Sequence, residues 1–291
     1  MQTIIIGGGV VGQCYAQALA TQGHQIIGFA DLHPSEALRT LAGALGASIH
    51  PAPGAWATGA ELAVSAVFGT VALDVARQSL TYLPPGALYV DMTTADPDDM
   101  RAAQQLALAS GHRFVDVAIT GAVNLSGAKT PLLCSGSAAP EVAALLAACG
   151  ATIRPVGVRP GDAASLKLLR SIFTKGMEAL AVECLVTAEQ RGLRAELHMV
   201  LSDIDEGSLR ETMESMVRTH IPHAGRRRNE VVEAQRQMRL SGVEPFVLPA
   251  VQSLFERTIQ GQATHPYDGS NTVDALAWLA TVAACDATAH E

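Results

Sequence analysis

The feature that most constrains the fold of this chain is a glycine-rich segment that directly follows its first apolar run. Residues 4–6 are all isoleucine, which is typical of a buried strand, and Gly7-Gly8-Gly9-Val10-Val11-Gly12 comes next. Gly7 permits a tight turn, Gly9 lets the backbone approach a pyrophosphate, and Gly12 allows a helix to pack closely on the strand. The segment therefore predicts a dinucleotide-binding loop, with Val10 and Val11 at the helix N-terminus that faces the phosphates.

An acidic residue at the end of the second predicted strand supports the same interpretation. Asp31 follows the strand predicted over residues 25–29, at the spacing of about 20 residues that this motif requires. A carboxylate there accepts a hydrogen bond from the ribose 2′-OH of NAD and repels the 2′-phosphate of NADP. We expect NAD or NADP as the cofactor, with NAD favoured by Asp31. The alternative for Asp31 is a cap on the next helix.

Short apolar runs alternate with helical patterns through the first half of the chain. The predicted strands are residues 3–6, 25–29, 62–67, 87–91, 113–117, 131–135 and 152–156. Strands that alternate with helices indicate βαβ units and a mainly parallel sheet. Methyltransferases that bind S-adenosylmethionine also have a glycine-rich first loop, but theirs usually lacks the third glycine at this spacing.

The pattern changes near residues 157–161, and only helical periodicity follows. A helix is predicted over residues 163–191, with Asp162 as its N-terminal cap. The later helices are predicted to be separated at Gly192, Ile221-Pro222, Gly242 and His265-Pro266. The sequence therefore predicts an α/β fold, with an N-terminal doubly wound Rossmann domain over residues 1–158 and an all-helical C-terminal domain over residues 159–291.

Charge and composition argue against several other classes of protein. The formal net charge is −8 and aromatic residues make up 4% of the chain, whereas nucleic-acid-binding proteins more often have a basic face and stacking aromatic residues. No apolar run reaches the roughly 18 residues of a membrane-spanning helix, and residues 4–6 are too few for a signal peptide. We therefore expect a cytoplasmic protein that binds neither nucleic acid nor membranes.

Cysteine and histidine spacing gives no indication of a metal site. The cysteines are Cys14, Cys134, Cys149, Cys184 and Cys285. They form no C-x-x-C pair, so we expect small buried residues rather than a disulfide framework or zinc ligands. His220 and His223 lack a carboxylate or cysteine at suitable spacing. His223 with Arg226 is suited instead to an anionic substrate, because arginine offers a bidentate fork; the alternative is that Arg226 belongs to a solvated helix face.

Four motifs in order resemble those of the β-hydroxyacid dehydrogenase superfamily, which includes 3-hydroxyisobutyrate and 6-phosphogluconate dehydrogenases. They are the glycine loop, D-M-T-T-A-D-P over residues 91–97, D-V-A-I-T-G-A over residues 116–122, and Gly161 followed by Lys167. Residues 169–176 and 223–227 resemble the branch whose C-terminal domain is similar to that of phosphogluconate dehydrogenase. The resemblance implies a homodimer or tetramer built through the C-terminal helices.

The resemblance assigns the catalytic work to one helix. It implies that Lys167 is the general acid and base, and that Ser171 stands where the family has an asparagine that bonds the reacting hydroxyl. Lys167, Ser171 and Lys175 fall at i, i+4 and i+8, which places them on one helix face. A second lysine and nearby apolar surface would lower the pKa of Lys167, while Lys175 would bind substrate. The alternative is an ordinary solvated face.

The resemblance also assigns two loops. Thr120, Gly121 and Ala122 are expected to bind the substrate carboxylate through backbone N–H groups and the threonine hydroxyl. The family has serine and a second glycine at the first and last of these positions. Thr94 and the turn Val67-Phe68-Gly69 are expected to flank the nicotinamide ribose, unless they are ordinary strand-end turns.

These features predict an NAD(P)-dependent oxidoreductase. We expect hydride transfer between nicotinamide and a small 3-hydroxy acid or 2-amino-3-hydroxy acid, or the matching carbonyl compound, with Lys167 moving the proton. One alternative is an imine reductase, although those enzymes often lack the lysine. The other is a non-catalytic NAD(P)-binding sensor or scaffold. The expected substrate is a small anionic molecule.

Overall fold

The computed structural model describes the backbone of residues 1–288 and the side chains of residues 1–202 and 204–283. The chain divides into two compact units, Met1–Ile172 and the remainder from Phe173. The first unit contains the whole sheet. This division lies further along the chain than the predicted domain boundary at 158/159, which coincides with the end of the last strand.

The first unit is built on one eight-stranded sheet. Its strands are β1 (Gln2–Ile6), β2 (Gln25–Ala30), β3 (Ser48–His50), β4 (Leu62–Ser65), β5 (Leu88–Asp91), β6 (Arg113–Ile119), β7 (Leu132–Ser135) and β8 (Ile153–Gly157). The order is β3-β2-β1-β4-β5-β6-β7-β8, and neighbours are parallel except β6 and β7. The chain leaves β1 toward β2 on one side and later reaches β4 on the other, so a ligand crevice is expected between the carboxyl ends of β1 and β4.

Every predicted strand is present, and one strand was not predicted. The edge strand β3 has three residues, all exposed or half-buried. A segment this short shows no alternation of apolar and polar residues, which is the signal that identifies a half-buried strand.

Helices cover both faces of the sheet and make up the second unit. They are α1 (Val10–Thr21), α2 (Glu36–Leu45), α3 (Ala72–Leu80), α4 (Pro97–Ala109), α5 (Val123–Ser126), α6 (Ala139–Ala148), α7 (Asp162–Gln190), α8 (Arg194–Val200), α9 (Ser202–Asp205), α10 (Leu209–Leu240), α11 (Leu248–Thr264) and α12 (Thr272–Thr288). The predicted α/β class with a helical C-terminal part is thus confirmed.

The two faces of the sheet carry separate apolar cores. Successive strand residues point to opposite faces, so Ile5 packs with residues of α1, α2 and α6, while Ile4 and Ile6 pack with residues of α3 and α4. Ala164, in the first turn of α7, joins the second core. Because helices lie on both faces, the sheet is doubly wound, as predicted.

Two predictions about the helices are wrong. Asp162 is the first residue of α7 rather than its cap. The predicted break at Ile221-Pro222 does not occur, because α10 runs through Pro222. Proline inside a helix costs about 3 kcal/mol, since it lacks an N–H and its ring clashes with the preceding turn. The buried side chains of Ile221 and Ala224 on either side, and the contact of His220 Nε2 with Thr258 Oγ1 at 2.8 Å, offset that cost by tying α10 to α11.

The cysteines differ in exposure. Cys134 is buried, Cys14 and Cys149 are half-buried, and Cys184 is exposed. The prediction of small buried residues is therefore wrong for Cys184, while the side chain of Cys285 lies outside those described. Burial raises the pKa of the Cys134 thiol to about 11, which keeps it protonated and unreactive at neutral pH.

Candidate functional site

A cleft of about 790 Å³ opens at the carboxyl ends of the central strands. It is lined by Val10, Val11, Ala66, Val67, Met92, Thr93, Ile119, Thr120, Gly121, Val123, Asn124, Lys167, Arg170 and Ser171. All of these residues belong to the first unit. The volume is within the range of about 300–1,000 Å³ found for small-molecule sites, and the position is the crevice predicted by the strand order.

Backbone packing explains two of the three motif glycines, and open space explains the third. Gly7 has φ +93°, and a Cβ there would lie 2.5 Å from the carbonyl oxygen of Ala66. A Cβ on Gly12 would lie 1.9 Å from the carbonyl oxygen of Gly7. A Cβ on Gly9 would meet no heavy atom within 4 Å. Gly9 therefore leaves room at the N-terminus of α1, where a phosphate would approach the backbone.

Asp31 is bonded to the glycine loop. Its Oδ2 accepts from the backbone N–H of Gly8 at 2.7 Å, and its Oδ1 accepts from the backbone N–H of His33 at 2.8 Å. The following helix, α2, is capped by Ser35, whose Oγ accepts from Leu38 N at 3.2 Å. Asp31 is therefore not a helix cap. Each carboxylate oxygen can accept a further hydrogen bond, so Asp31 is still able to contact a ribose. That contact stays a prediction.

Lys167 lies in the cleft on the second turn of α7. Its Nζ donates to Thr94 Oγ1 at 2.9 Å. Burial lowers the pKa of Lys167 below its usual range, and the negative charge of Asp116 opposes that shift. A lysine with a lowered pKa exchanges protons more readily near neutral pH, which is the property required of a general acid and base.

Thr94 lies in a strained turn that follows β5. Its φ is +56°, the one positive value at a non-glycine residue among the described part of the chain. Left-handed backbone is unusual for a β-branched residue, and residues strained in this way cluster at functional sites. The turn Gly69–Val71 lies against it, because a Cβ on Gly69 would be 3.3 Å from Ala95 Cα. Val67 lines the cleft, whereas Phe68 is largely exposed.

The predicted substrate loop is only partly free to bind. Both the backbone N–H and the hydroxyl of Thr120 donate to the carbonyl of Pro131, each at 2.9 Å. The threonine hydroxyl is thus not the spare donor that was predicted, because its hydrogen is already used; its lone pairs still accept. Gly121 lines the cleft, and Ala122 precedes α5 on the exposed surface.

Among the cleft residues that were not predicted, two have long polar side chains, Asn124 and Arg170. Asn124 lies in α5 just after the substrate loop, and Arg170 lies three residues after Lys167 on α7. The helical spacing of Arg170 from Lys167 was a usable signal, because residues at i and i+3 share a face. None of the described residues that line the cleft is acidic, and two of them, Lys167 and Arg170, have basic side chains.

The remaining predicted substrate residues belong to the second unit. Lys175 pairs with Glu178 at 2.8 Å, and Arg226 pairs with Glu230. His223 and Arg226 are exposed on α10. Their part in substrate binding stays a prediction.

The described residues offer neither a metal site nor a membrane-spanning helix. No group of three or more His, Cys, Asp or Glu side chains there is placed to hold a metal ion. Within the same part of the chain, every helix is too short or too polar to cross a bilayer.

Comparison with known families identifies the chain. Residues 2–157 match the family model described as the NAD binding domain of 6-phosphogluconate dehydrogenase. The chain belongs to this family. The match runs from β1 to β8 and includes the glycine loop, the turn at Thr94 and the substrate loop, so the resemblance to the β-hydroxyacid dehydrogenase superfamily is confirmed.

Several individual proteins are similar over most of the chain. The uncharacterized 28.5 kDa protein in the 7S RNA 5′ region of Methanothermus fervidus is 28% identical over 222 residues, which is 76% of this chain and 85% of that protein. A solved conserved protein of unknown function, with structural similarity to 3-hydroxyacid dehydrogenases, is 28% identical at a TM-score of 0.62 and covers 89% of this chain and 97% of its own. An imine reductase from Aspergillus terreus, solved with NADPH4, is 19% identical at a TM-score of 0.74, covering 94% and 97%. This last likeness shows the fold.

The family and the site together define the class of protein. The chain is a member of a superfamily of NAD(P)-dependent oxidoreductases. Its own residues fit the cofactor, because the open approach at Gly9 and the unpaired N–H groups at the start of α1 suit a pyrophosphate.

Proposed function

We propose that this protein transfers a hydride between a nicotinamide cofactor and a small anionic 3-hydroxy acid or 2-amino-3-hydroxy acid, or the matching carbonyl compound. The observation that carries the proposal is the placement of Lys167. Its Nζ lies in the same cleft as the start of α1 and bonds Thr94 Oγ1 at 2.9 Å. The amine of Lys167 and the helix N-terminus that suits a pyrophosphate thus share one cleft, which supports a role for the lysine in proton transfer.

Lys167 would move the proton that accompanies hydride transfer. In oxidation, the neutral amine accepts the hydroxyl proton of the substrate; in reduction, the ammonium returns a proton to the carbonyl oxygen. Burial lowers the pKa of Lys167 and so raises the fraction of neutral amine. Thr94 Oγ1 accepts from Nζ and holds the amine in one orientation. The nicotinamide ring, when bound, supplies or accepts the hydride.

The charge of the cleft supports an anionic substrate. The chain has a formal net charge of −8, yet Lys167 and Arg170 line the cleft and none of its described lining residues is acidic. An arginine can hold a carboxylate through two parallel hydrogen bonds. Ser171 and Asn124 add neutral hydrogen-bonding groups on the same lining.

The test is a substrate panel with NAD and NADP on the wild type, Lys167→Ala and Lys129→Ala. Lys129 is an exposed lysine that does not line the cleft, which makes it a matched control. We expect turnover of a hydroxy acid that falls by roughly 10²–10⁴-fold in Lys167→Ala, because general acid–base catalysis contributes about that factor. Lys129→Ala should match the wild type. Normal turnover by Lys167→Ala would refute the role of the lysine.

The same panel separates the alternatives. Cyclic imines belong in it, because the fold is shared with imine reductases. Reduction of imines without turnover of hydroxy acids would replace the proposed reaction with C=N reduction. Tight binding of cofactor with no turnover of any substrate would favour a sensor or scaffold.

We also propose that the protein is a homodimer or tetramer. In the part of α7 that belongs to the second unit, Leu180, Val182 and Val186 are exposed by 42%, 60% and 45%. Several large apolar side chains on one exposed helix are typical of an association surface. Light scattering should give at least twice the mass of one chain, and Val182→Glu should reduce it.

A further inference from the structure

A row of buried polar side chains crosses four strands of the sheet beneath the cleft. Ser65, Asp91, Asp116 and Ser135 are register partners on β4, β5, β6 and β7, and each has no exposed surface. Cross-strand partners point to the same face of a sheet. Burying a carboxylate costs free energy unless it accepts hydrogen bonds. The hydrogen-bond partners of the two aspartates therefore indicate what each one holds in place.

Asp116 holds the first turn of α7. Its Oδ2 accepts from Gly161 N at 3.0 Å, from Ala164 N at 3.1 Å and from Ser135 Oγ at 3.1 Å. Ser135 Oγ in turn accepts from Ala163 N at 3.0 Å. The first N–H groups of a helix have no partner within the helix, and a negative charge is favourable there. Asp116 thus fixes the N-terminus of the helix that carries Lys167.

Asp91 holds the turn that carries Thr94. Its Oδ1 accepts from Thr93 N at 2.9 Å and from Thr93 Oγ1 at 2.5 Å. The next residue, Thr94, is the one with a left-handed backbone, a conformation that persists only when its surroundings impose it. The two hydrogen bonds that Thr93 donates to Asp91 supply such a constraint immediately before Thr94.

We propose that Asp91 and Asp116 act together as positioning residues for the Lys167–Thr94 contact. Asp116 fixes the helix that bears the amine, and Asp91 fixes the turn that bears the hydroxyl. The two aspartates are register partners on neighbouring strands. The helix that bears Lys167 and the turn that bears Thr94 are therefore both anchored to adjacent positions of the sheet. The proposal rests on the proposed function, in which Lys167 moves a proton. Neither aspartate lines the cleft, so neither is expected to touch substrate.

The first test does not depend on catalysis. Amide hydrogen exchange at Gly161 and Ala164, which donate to Asp116, is measured in the wild type and in Asp116→Ala. We expect exchange at these amides to become at least about tenfold faster, since loss of a hydrogen bond to a charged group is worth about that factor or more. Asp116→Asn keeps an acceptor oxygen and should restore most of the protection. Unchanged exchange in Asp116→Ala would overturn the anchoring of α7.

The second test measures catalysis. Asp91→Ala and Asp116→Ala should each lower kcat by about 10²-fold with little change in cofactor Kd, because a misplacement of about 1 Å costs that much. The Asn variants should recover most of kcat. The two Ala variants break the same contact, so their double variant should lose far less than the product of the single losses. A fully multiplicative loss would overturn the pairing.

The pH profile distinguishes positioning from a purely structural role. The charge of Asp116 raises the pKa of Lys167, so Asp116→Asn should move the acid limb of the kcat profile for oxidation to lower pH, whereas Asp91→Asn should move it less. Arg170, on the same helix, is a further charge in the cleft and is kept constant in this comparison. Identical profiles for wild type and Asp116→Asn would refute the coupling.

A milder substitution keeps the proposal testable if the Ala variants fail to fold. Ser135→Ala removes the hydroxyl that bonds both Asp116 and Ala163 N, and should lower kcat several-fold. Ser79→Ala is its matched control: Ser79 is equally buried, and its hydroxyl donates at 2.6 Å to Val75 O within its own helix. Equal kcat for the two variants would overturn the proposal. If Lys167→Ala itself retained activity, the proposed function would fail, while the exchange test of the α7 anchor would stand.

Discussion

Asp91 should lower the stability of the first unit as the pH rises from about 4 to 6, and Asp91→Asn should remove that contribution. Burial raises the pKa of Asp91 from 3.8 to about 6, against the opposing hydrogen bonds from Thr93. The folded state therefore binds the Asp91 proton more tightly than the unfolded state does. Its contribution is fully present below the unfolded pKa and is lost as the pH rises through the folded pKa.

The magnitude follows from the size of the shift. A change from 3.8 to about 6 is roughly two pKa units, or about 3 kcal/mol at about 1.4 kcal/mol per unit. Asn has nearly the same shape, retains the oxygen that accepts from Thr93 and does not ionise. Relative to wild type, Asp91→Asn should therefore be more stable at pH 7 by up to about 3 kcal/mol, with a much smaller advantage at pH 4.

Urea unfolding at intervals from pH 4 to 8 checks this prediction. The chain has two tryptophans, so in a Trp278→Phe background the fluorescence of Trp56 reports the first unit. The difference between wild type and Asp91→Asn isolates the aspartate from every other titrating group. Asp74→Asn, on the exposed side of α3, is the matched control and should run parallel to wild type. A constant difference across this pH range would refute the reasoning.

Three further predictions concern the cofactor loop and the cleft. Gly12→Ala places a Cβ 1.9 Å from the carbonyl oxygen of Gly7 and should abolish NADH binding in a fluorescence titration, whereas Gly43→Ala, where nothing lies within 4 Å, should bind normally. Asp31→Ala should weaken NADH binding by about 10-fold or more, which is the value of a hydrogen bond to a charged group. A wild-type protein that binds NADPH more tightly than NADH would contradict the contact between Asp31 and the ribose. Arg170→Met should raise KM for an anionic substrate by about 10–100-fold and leave cofactor Kd unchanged, and an unaltered KM would exclude Arg170 from substrate binding.

Local sequence signals were enough to predict the parts of the site that are contiguous in the chain. The glycine loop, the strands that flank it and the start of α7 each have a pattern within one short segment. The Pro222 break failed because packing of α10 against α11 outweighs a local propensity. The edge strand β3 was too short to produce a pattern.

The buried residues that hold the site in place could not be predicted from local patterns in the same way. Asp116 was recognised as part of a motif, but its partners Gly161 and Ala164 are more than 40 residues away and meet it only in the folded chain. The hydrogen bond that the Thr120 hydroxyl donates to the Pro131 carbonyl is likewise a tertiary contact. Sequence patterns therefore located the groups at the surface of the cleft better than the buried groups that hold them.

The most direct test of the central claim is a single-turnover measurement of nicotinamide reduction, with enzyme in excess over a hydroxy acid that the panel has identified. Single turnover separates the chemical step from binding and product release. We expect Lys167→Ala to slow the step by roughly 10²–10⁴-fold at unchanged cofactor affinity. A chemical step as fast in Lys167→Ala as in the wild type would contradict the role of the lysine in proton transfer.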